Sequence, residues 1–152
     1  MDYEKKLQSL GLALPPPPKP VATYVPCVRS GNLLFLSGMI PMVDGKMAKV
    51  GKLGKELAIE EGQEMARITL LNALAVIKAE CGSLDQIERI VRIGLHVASA
   101  EGFTQQSAVA NGASDLLVQI FGEPGRHARL ALGAAELPLN APVELEMIAQ
   151  VR

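Results

Sequence analysis

Gly125-Arg-His-Ala-Arg129 begins a pair of predicted strands, and Val143-Glu-Leu-Glu-Met-Ile-Ala149 ends it. The closing segment alternates glutamates with apolar residues, which is typical of a β-strand with one buried face. If the two segments form neighbouring strands, the guanidinium of Arg129 faces the carboxylate of Glu144. The planar guanidinium of arginine binds carboxylates through two parallel N–H donors, and an ionised glutamate can orient or activate a water. We predict that this pair is the chemical centre, with an ordinary cross-strand salt bridge as the structural alternative.

The elements around these strands indicate a single α+β domain. Apolar residues recur at helical spacing from about residue 58 to 81 and again over roughly 104–121. A turn at Ser30-Gly31-Asn32 predicts a hairpin between the first two strands. The predicted strands are 24–28, 33–37, 91–98, 128–134 and 143–151. The order β-β-α-β-α-β-β predicts two helices on one face of a mixed sheet.

The first 21 residues differ from the rest in composition. Residues 2–11 carry a short helical pattern, and Pro15-Pro-Pro-Pro18 follows, with Lys19-Pro20 behind it. Consecutive prolines neither continue a helix nor donate to a sheet, so this segment is predicted to be extended polyproline. We interpret residues 1–21 as an N-terminal extension with a semi-rigid proline strap, and residues 22–152 as the domain. A partner-docking motif is the alternative use of the prolines.

Charge and composition argue against several classes of protein. A net charge of −1 without a basic stripe argues against a nucleic-acid partner. No apolar run approaches a membrane span and the N-terminus lacks a signal core, so we expect a cytoplasmic protein without a membrane partner. The two cysteines and two histidines are at no metal-ligand spacing, which indicates either chemistry without a metal or no chemistry at all. His96 falls opposite the apolar residues of its strand, and we expect it at a surface or an interface.

Two blocks of the chain resemble the RidA/YjgF family. One is Gly31-Asn-Leu-Leu-Phe-Leu-Ser-Gly-Met-Ile-Pro41, and the other runs from Arg129 through Leu137-Pro138 to Val143–Ala149. The resemblance covers about residues 22–152. It implies a chorismate-mutase-like α+β fold assembled as a homotrimer, with ligand sites in the clefts between subunits. Members of this family include enamine and imine deaminases, and some carry the older label endoribonuclease L-PSP.

The resemblance also implies site residues and a reaction. Arg129 matches the arginine that binds the substrate carboxylate in this family, and Glu144 matches the glutamate that helps to hold the attacking water. The reaction implied is hydrolysis of a C=N bond without metal or cofactor, in which small 2-imino or enamine acids give 2-keto acids and ammonia. The implied substrate-binding positions are Tyr24, Ser37, Gly38, Asn111 and Ala131.

Some features depart from the pattern of that family. Ala131 stands where many members carry Cys or Ser, and neither His127 nor the N-terminal extension belongs to the common pattern, so the chain resembles a divergent subgroup. Three other functions stay open: a non-catalytic trimer that binds small carboxylates, an endoribonuclease or translation inhibitor, and a purely structural or interaction trimer that docks a partner through the proline strap. The net charge, together with the lack of a histidine pair or an aromatic stacking platform, counts against RNA cleavage.

Overall fold

The computed structural model describes residues 2–20 and 22–152; Met1 and Val21, the two ends of the predicted N-terminal extension, lie outside the described residues. None of the described helices is long and apolar enough to cross a membrane. Short 3-10 turns occur at Leu84–Gln86, Glu123–Gly125 and Pro138–Asn140. In chain order the helices and strands are α1 (Tyr3–Ser9), β1 (Cys27–Ser30), β2 (Leu33–Met39), β3 (Met42–Val43), β4 (Lys46–Met47), α2 (Ile59–Cys81), β5 (Ile87–Ala98), α3 (Gln106–Phe121), β6 (Ala128–Ala134) and β7 (Val143–Val151).

Five strands form one mixed sheet in the order β1-β2-β7-β5-β6. Every neighbouring pair is antiparallel except β5 and β6, which are parallel. Helix α3 connects these two strands, because parallel neighbours need a long crossover. Strands β3 and β4 form a small separate hairpin. The predicted α+β class, the order of the main elements and the short helix within residues 2–11 are confirmed, and the β3–β4 hairpin is added.

Helices α2 and α3 cover one face of the sheet. The opposite face, called here the open face, has no described helix packed on it. An apolar row crosses it, because Val28, Phe35 and Ile148 are register partners on β1, β2 and β7. Val28 is 56% exposed and Phe35 is 43% exposed, so a single chain leaves this row uncovered. The residues of β7 buried beneath the helices are Val143, Leu145, Met147, Ala149 and Val151.

The predicted pairing of Arg129 with Glu144 on neighbouring strands is wrong within one chain. Strand β5 lies between β6, which carries Arg129, and β7, which carries Glu144. Arg129 is the register partner of the buried Ile93 and therefore lies on the helix-covered face. Glu144 is the register partner of His96 and lies on the open face. Because side chains alternate between the two faces of a strand, these two groups leave the sheet on opposite sides.

Helix α1 packs against α3 and against the end of α2. The ring of Tyr3 meets the ring of Phe121 edge to face, with 4.6 Å between the centroids. Glu4 forms a salt bridge with Lys78, with 3.0 Å between Oε2 and Nζ. These contacts attach α1 to the core, and residues 12–20 follow it without regular secondary structure.

Strand β1 begins at Cys27, which is later than the predicted start at Tyr24. Pro26 has no N–H to contribute to a sheet ladder, although its carbonyl accepts a hydrogen bond from the Ser37 N–H at 2.9 Å. The hydroxyl of Ser37 donates to the carbonyl of Val25 at 2.6 Å. Tyr24 and Val25 therefore lie in an irregular segment that is held against β2.

The contact between α2 and α3 depends on Gly112. A Cβ at this position would lie 2.3 Å from the carbonyl oxygen of Gln63 in α2, so only glycine allows the two backbones to come this close. The side-chain amide of Gln63 donates to the carbonyl of Ala108 at 2.9 Å across the same contact. Asn111 directly precedes Gly112, so the close contact of the two helices also sets the position of Asn111 relative to β6.

Replacing Gly112 by alanine is expected to lower the free energy of unfolding by about 2–3 kcal/mol, because the added methyl group pushes α3 away from α2. In an exposed helix the same change would stabilise the protein by about 1 kcal/mol, since alanine has the higher helix propensity. Urea unfolding followed by circular dichroism measures the difference.

Gly62→Ala is the matched control for this change. Its Cβ would meet the terminal Cδ1 of Leu53 at 2.7 Å, and that side chain can rotate away, so the expected loss is smaller. A Gly112→Ala protein as stable as the wild type would contradict the close contact of the two backbones.

Candidate functional site

The first group of candidate residues surrounds the Arg129 guanidinium, on the helix-covered side of the edge strand β6. Nη1 donates to Asn111 Oδ1 at 2.7 Å and to Ser114 Oγ at 3.2 Å. Nη2 donates to the carbonyl of Ser107 at 3.4 Å. Ser107, Asn111 and Ser114 recur at helical spacing and share one side of α3. We call Arg129, Asn111, Ser114 and His127 the arginine cluster.

His127 joins this cluster through both nitrogens of its ring. Nε2 lies 2.9 Å from Ser114 Oγ, and Nδ1 lies 2.6 Å from the carbonyl oxygen of Gly125. The residue stands directly before β6, two positions ahead of Arg129. Its imidazole is therefore a structural member of the cluster rather than a free group at its edge.

The charge of Arg129 is not neutralised within the chain. Among the described residues, no carboxylate forms a salt bridge with it, and its side-chain partners are a neutral amide and a neutral hydroxyl. Its Nε–H and one Nη2–H have no hydrogen-bond partner in residues 2–20 and 22–152. The residue is exposed, so these donors can bind a carboxylate.

The second group lies on the open face, around Glu144. A Cβ at Gly38 would lie 2.9 Å from Glu144 Oε2, so this carboxylate lies directly over the backbone of Gly38. His96 is the register partner of Glu144 across β5 and β7. Burial raises the pKa of the Glu144 carboxyl, and the negative charge of Glu146 raises it further, while His96 acts in the opposite direction. We call Gly38, His96, Glu144 and Glu146 the glutamate cluster.

Glu146 contrasts with Glu144 on the same side of β7. Its Oε1 accepts a hydrogen bond from Arg92 Nη1 at 3.0 Å, which neutralises its charge. Gly94 leaves room for this pair, because a Cβ there would lie 2.7 Å from Glu146 Oε1. Glu144 has no such ion pair with any residue of the described part of the chain. Of the two glutamates, it is therefore the one available to act on a ligand.

Three other predicted site residues have different surroundings. The hydroxyl of Ser37 is bound to the carbonyl of Val25 and holds the chain segment ahead of β1. Tyr24, in that segment, is 53% exposed. Ala131 lies two residues after Arg129 on the same side of β6 and packs partly against the core.

Within one chain the predicted residues thus fall into two places. Arg129 and Ala131 lie on β6, on the side that α3 covers, and Asn111 reaches Arg129 from α3. Gly38 lies with Glu144 on the open face, and Ser37 directly precedes Gly38. The sheet separates the two places, so one chain does not bring the arginine and the glutamate together.

The comparison with known families identifies the fold. A family model described as "YjgF/chorismate mutase-like, putative endoribonuclease" matches residues 4–151. This chain belongs to the RidA/YjgF family. The match confirms the resemblance seen in the two sequence blocks, and it covers α1 from its second residue onward as well as the domain.

Relatives within RidA/YjgF carry different names. Protein TCP17 of Trypanosoma cruzi is 43% identical over 95% of this chain and 91% of its own length. The crystal structure of a Shewanella oneidensis protein described as a "putative endoribonuclease" superimposes with a TM-score of 0.96 at 33% identity, covering 99% of this chain and 100% of that one. The 2-iminobutanoate/2-iminopropanoate deaminase of Dermatophagoides farinae is 26% identical over 92% of this chain and 94% of its own length.

Four members of the clusters were not predicted as site residues: Ser114, His127, His96 and Glu146. Ser114 was missed, although Ser107, Asn111 and Ser114 recur at helical spacing and indicate a polar side of α3. His96 was interpreted as a surface or interface residue, and it does lie on the open face, opposite Glu144. His127 was expected to lie outside the common pattern of the family, and its imidazole contacts Ser114.

Replacing Gly38 by alanine is expected to move the Glu144 carboxylate while leaving the fold intact. The added Cβ would lie 2.9 Å from Oε2, and the backbone of Gly38 is outside the left-handed region, so alanine causes no strain there. We expect the free energy of unfolding to change by about 1 kcal/mol or less. The 13C chemical shift of the Glu144 carboxyl should change markedly.

Gly94→Ala is the matched control, because it displaces Glu146 in the same way. The Gly94→Ala change should alter the 13C chemical shift of the Glu146 carboxyl and leave that of the Glu144 carboxyl unchanged. An unchanged Glu144 shift in the Gly38→Ala protein would mean that the carboxylate does not lie over Gly38.

Proposed function

We propose that this RidA/YjgF protein hydrolyses small 2-imino acids to 2-keto acids and ammonia, as a homotrimer and without a cofactor. One observation carries the proposal: Arg129 and Glu144, the positions that match the family's carboxylate-binding and water-holding residues, each lack an ion pair in the described chain. The ordinary salt bridge between them is ruled out, since they lie on opposite faces of the sheet. The relative named as a 2-iminobutanoate/2-iminopropanoate deaminase supports the same reaction class.

A second copy of the chain completes the site in this proposal. Arg129 of one subunit and Glu144 of its neighbour would line one cleft, which a single chain cannot provide. The uncovered apolar row of Val28, Phe35 and Ile148 supports an assembly through the open face, because apolar surface of this kind marks interfaces. A cyclic arrangement repeats the same cleft at each contact.

Substrate binding begins with the carboxylate of the 2-imino acid. The free Nε–H and Nη2–H of Arg129 donate to its two oxygens, while Asn111 and Ser114 hold Nη1. This contact fixes the imine carbon at a constant distance from the guanidinium. Holding the reacting carbon and the water in one geometry removes much of the entropic barrier to their reaction.

Glu144 then acts on the water and its protons. The carboxylate accepts a proton from the water as the water oxygen bonds to the imine carbon, giving a carbinolamine. Glu144 returns this proton to the nitrogen, and the C–N bond breaks to release ammonia. Glu144 accepts the hydroxyl proton as the keto group forms and passes it to the ammonia, which leaves as ammonium. The net change is iminium acid plus water to keto acid plus ammonium. Partial burial, which raises the pKa of Glu144, makes the carboxylate a stronger proton acceptor.

Single substitutions are expected to separate binding from turnover. Arg129→Ala should abolish both the binding of pyruvate, a product 2-keto acid, and the release of ammonia from 2-iminopropionate generated in situ. Glu144→Gln should keep the dissociation constant for pyruvate within about twofold but lower turnover by about 100-fold or more. Calorimetry and a coupled ammonia assay give the two quantities. Arg126→Ala, which removes the exposed pair with Glu123, is the control and should match the wild type.

Other outcomes favour other functions. If the Glu144→Gln protein turned over substrate at the wild-type rate, Glu144 would not be the proton acceptor. Pyruvate binding without any imine hydrolysis in the wild-type protein would favour the carboxylate-binding trimer. RNA cleavage that is lost in Arg129→Ala would favour the endoribonuclease named among the relatives.

Mixing two inactive variants tests whether neighbouring subunits share the site. Arg129→Ala and Glu144→Gln chains are refolded together in equal amounts. If each site takes its arginine and its glutamate from different chains of a trimer, about a quarter of the sites receive both intact residues, and about a quarter of the wild-type rate returns. A site made within one chain would give no recovery. Each variant refolded alone is the control.

A further inference from the structure

The hydrogen bonds around His127 determine which of its nitrogens carries the proton. The carbonyl of Gly125 can only accept, so the contact of 2.6 Å requires a proton on Nδ1. In the neutral ring, Nε2 then has no proton and accepts from the Ser114 hydroxyl at 2.9 Å. Ser114 Oγ in turn accepts from Arg129 Nη1 at 3.2 Å. All the bonds therefore run in one direction, from Arg129 to Ser114, from Ser114 to His127, and from His127 to Gly125.

The far end of this chain of bonds is fixed by packing. Gly125 is buried, and a Cβ on it would lie 2.3 Å from the carbonyl oxygen of Leu117 in α3. Its N–H donates to the carbonyl of Gly122 at 3.0 Å. The carbonyl that anchors His127 is thus held tightly against the same helix that carries Ser114. The network therefore runs from Arg129 in β6, through Ser114 in α3 and the imidazole of His127, to a carbonyl that is packed against α3.

We propose that His127 is a positioning residue for Arg129, that it acts through Ser114, and that it does not contact the ligand. The inference rests on the carboxylate-binding role proposed for Arg129. Both ring nitrogens of His127 already have partners, so the ring has no free polar atom to offer a substrate. What it does supply is an acceptor that directs the hydroxyl hydrogen of Ser114 away from Arg129.

The direction of that hydroxyl matters for the guanidinium. Ser114 can accept from Arg129 only through a lone pair, and a freely rotating hydroxyl would point its hydrogen at the cation part of the time. With His127 as acceptor, the lone pairs of Ser114 face Nη1 continuously. Asn111 Oδ1 takes the other Nη1 hydrogen at 2.7 Å, so the two bonds fix the plane of the guanidinium. The opposite edge, with Nε–H and Nη2–H, is then aimed in a constant direction toward the ligand.

Variants of His127 and Ser114 can remove single bonds from this network. In His127→Asn the amide N–H replaces Nδ1–H toward Gly125, but nothing replaces Nε2. In His127→Gln the amide oxygen reaches the position of Nε2 and can accept from Ser114. Ser114→Ala removes the bridge altogether. Asp115→Ala is the matched control on α3, because Asp115 is exposed and directly follows Ser114.

Pyruvate binding and ammonia release are the first two measurements. His127→Asn and Ser114→Ala should each raise the dissociation constant for pyruvate and the KM by about tenfold, with kcat within about twofold of the wild type. His127→Gln should restore most of the affinity, and Asp115→Ala should match the wild type. The double variant Ser114→Ala with His127→Asn should bind no more weakly than Ser114→Ala alone, because both changes break the same chain of bonds.

Nitrogen-15 NMR of the arginine side chains, without ligand, gives a third measurement. In the wild type the bonds to Nη1 should slow rotation about the Cζ–Nη1 bond of Arg129. Ser114→Ala and His127→Asn should speed this rotation, and His127→Gln should slow it again. If His127 served stability alone, these variants would have a lower melting temperature and an unchanged rate of rotation about Cζ–Nη1. They would also not show a raised KM with an unchanged kcat.

The outcomes distinguish this inference from the proposed function. If Arg129→Ala abolishes pyruvate binding while Ser114→Ala and His127→Asn bind like the wild type, the positioning role is wrong and the function of Arg129 stands. If pyruvate binding does not depend on Arg129, the proposed function is wrong, and the NMR measurement alone decides whether His127 orders the guanidinium. Equal rotation of Nη1 in all the proteins would overturn the inference.

Discussion

The position of β5 between β6 and β7 is the constraint on which the candidate site depends. Because β5 stays in register with both neighbours, Arg129 lies on the side of Ile93 and Glu144 lies on the side of His96. No choice of side-chain rotamer can bring the two charges together through the sheet. Neither Arg129 nor Glu144 forms an ion pair with another described residue, so each is available to a group from outside the chain.

The way in which the two charges are held is as important as their separation. Arg129 is fixed by neutral oxygens of Asn111 and Ser114, so its geometry is defined without loss of its attraction for a carboxylate. Glu144 is held over the backbone of Gly38 and is partly buried, whereas Glu146, on the same side of the strand, is neutralised by Arg92. A partly buried charge without a partner, such as Glu144, reduces stability, and proteins retain such groups mainly where function requires them.

Local patterns in the sequence predicted most of the elements, because the spacing of apolar residues and the position of turn residues are local properties of the chain. The strands 128–134 and 143–151 and the faces of the latter were predicted correctly, because the alternation of apolar residues in β7 is complete. The error about Arg129 and Glu144 came from strand order, which depends on the parallel crossover through α3 and not on either strand alone. Ser114 was missed for a similar reason: its spacing from Ser107 and Asn111 indicates a polar side of α3, but its partners come from β6 and from the turn before that strand.

Membership of the RidA/YjgF family defines the fold more firmly than the reaction. The fold depends on dozens of buried aliphatic residues, and these tolerate exchange as long as volume and pattern persist. The reaction depends on a few polar groups, and at 26% identity to the named deaminase each of these can change independently. In this chain His127 stands two positions before Arg129 and Ala131 two positions after it. Under the proposed function, a change at either position alters the orientation of the guanidinium and therefore which carboxylate it binds best.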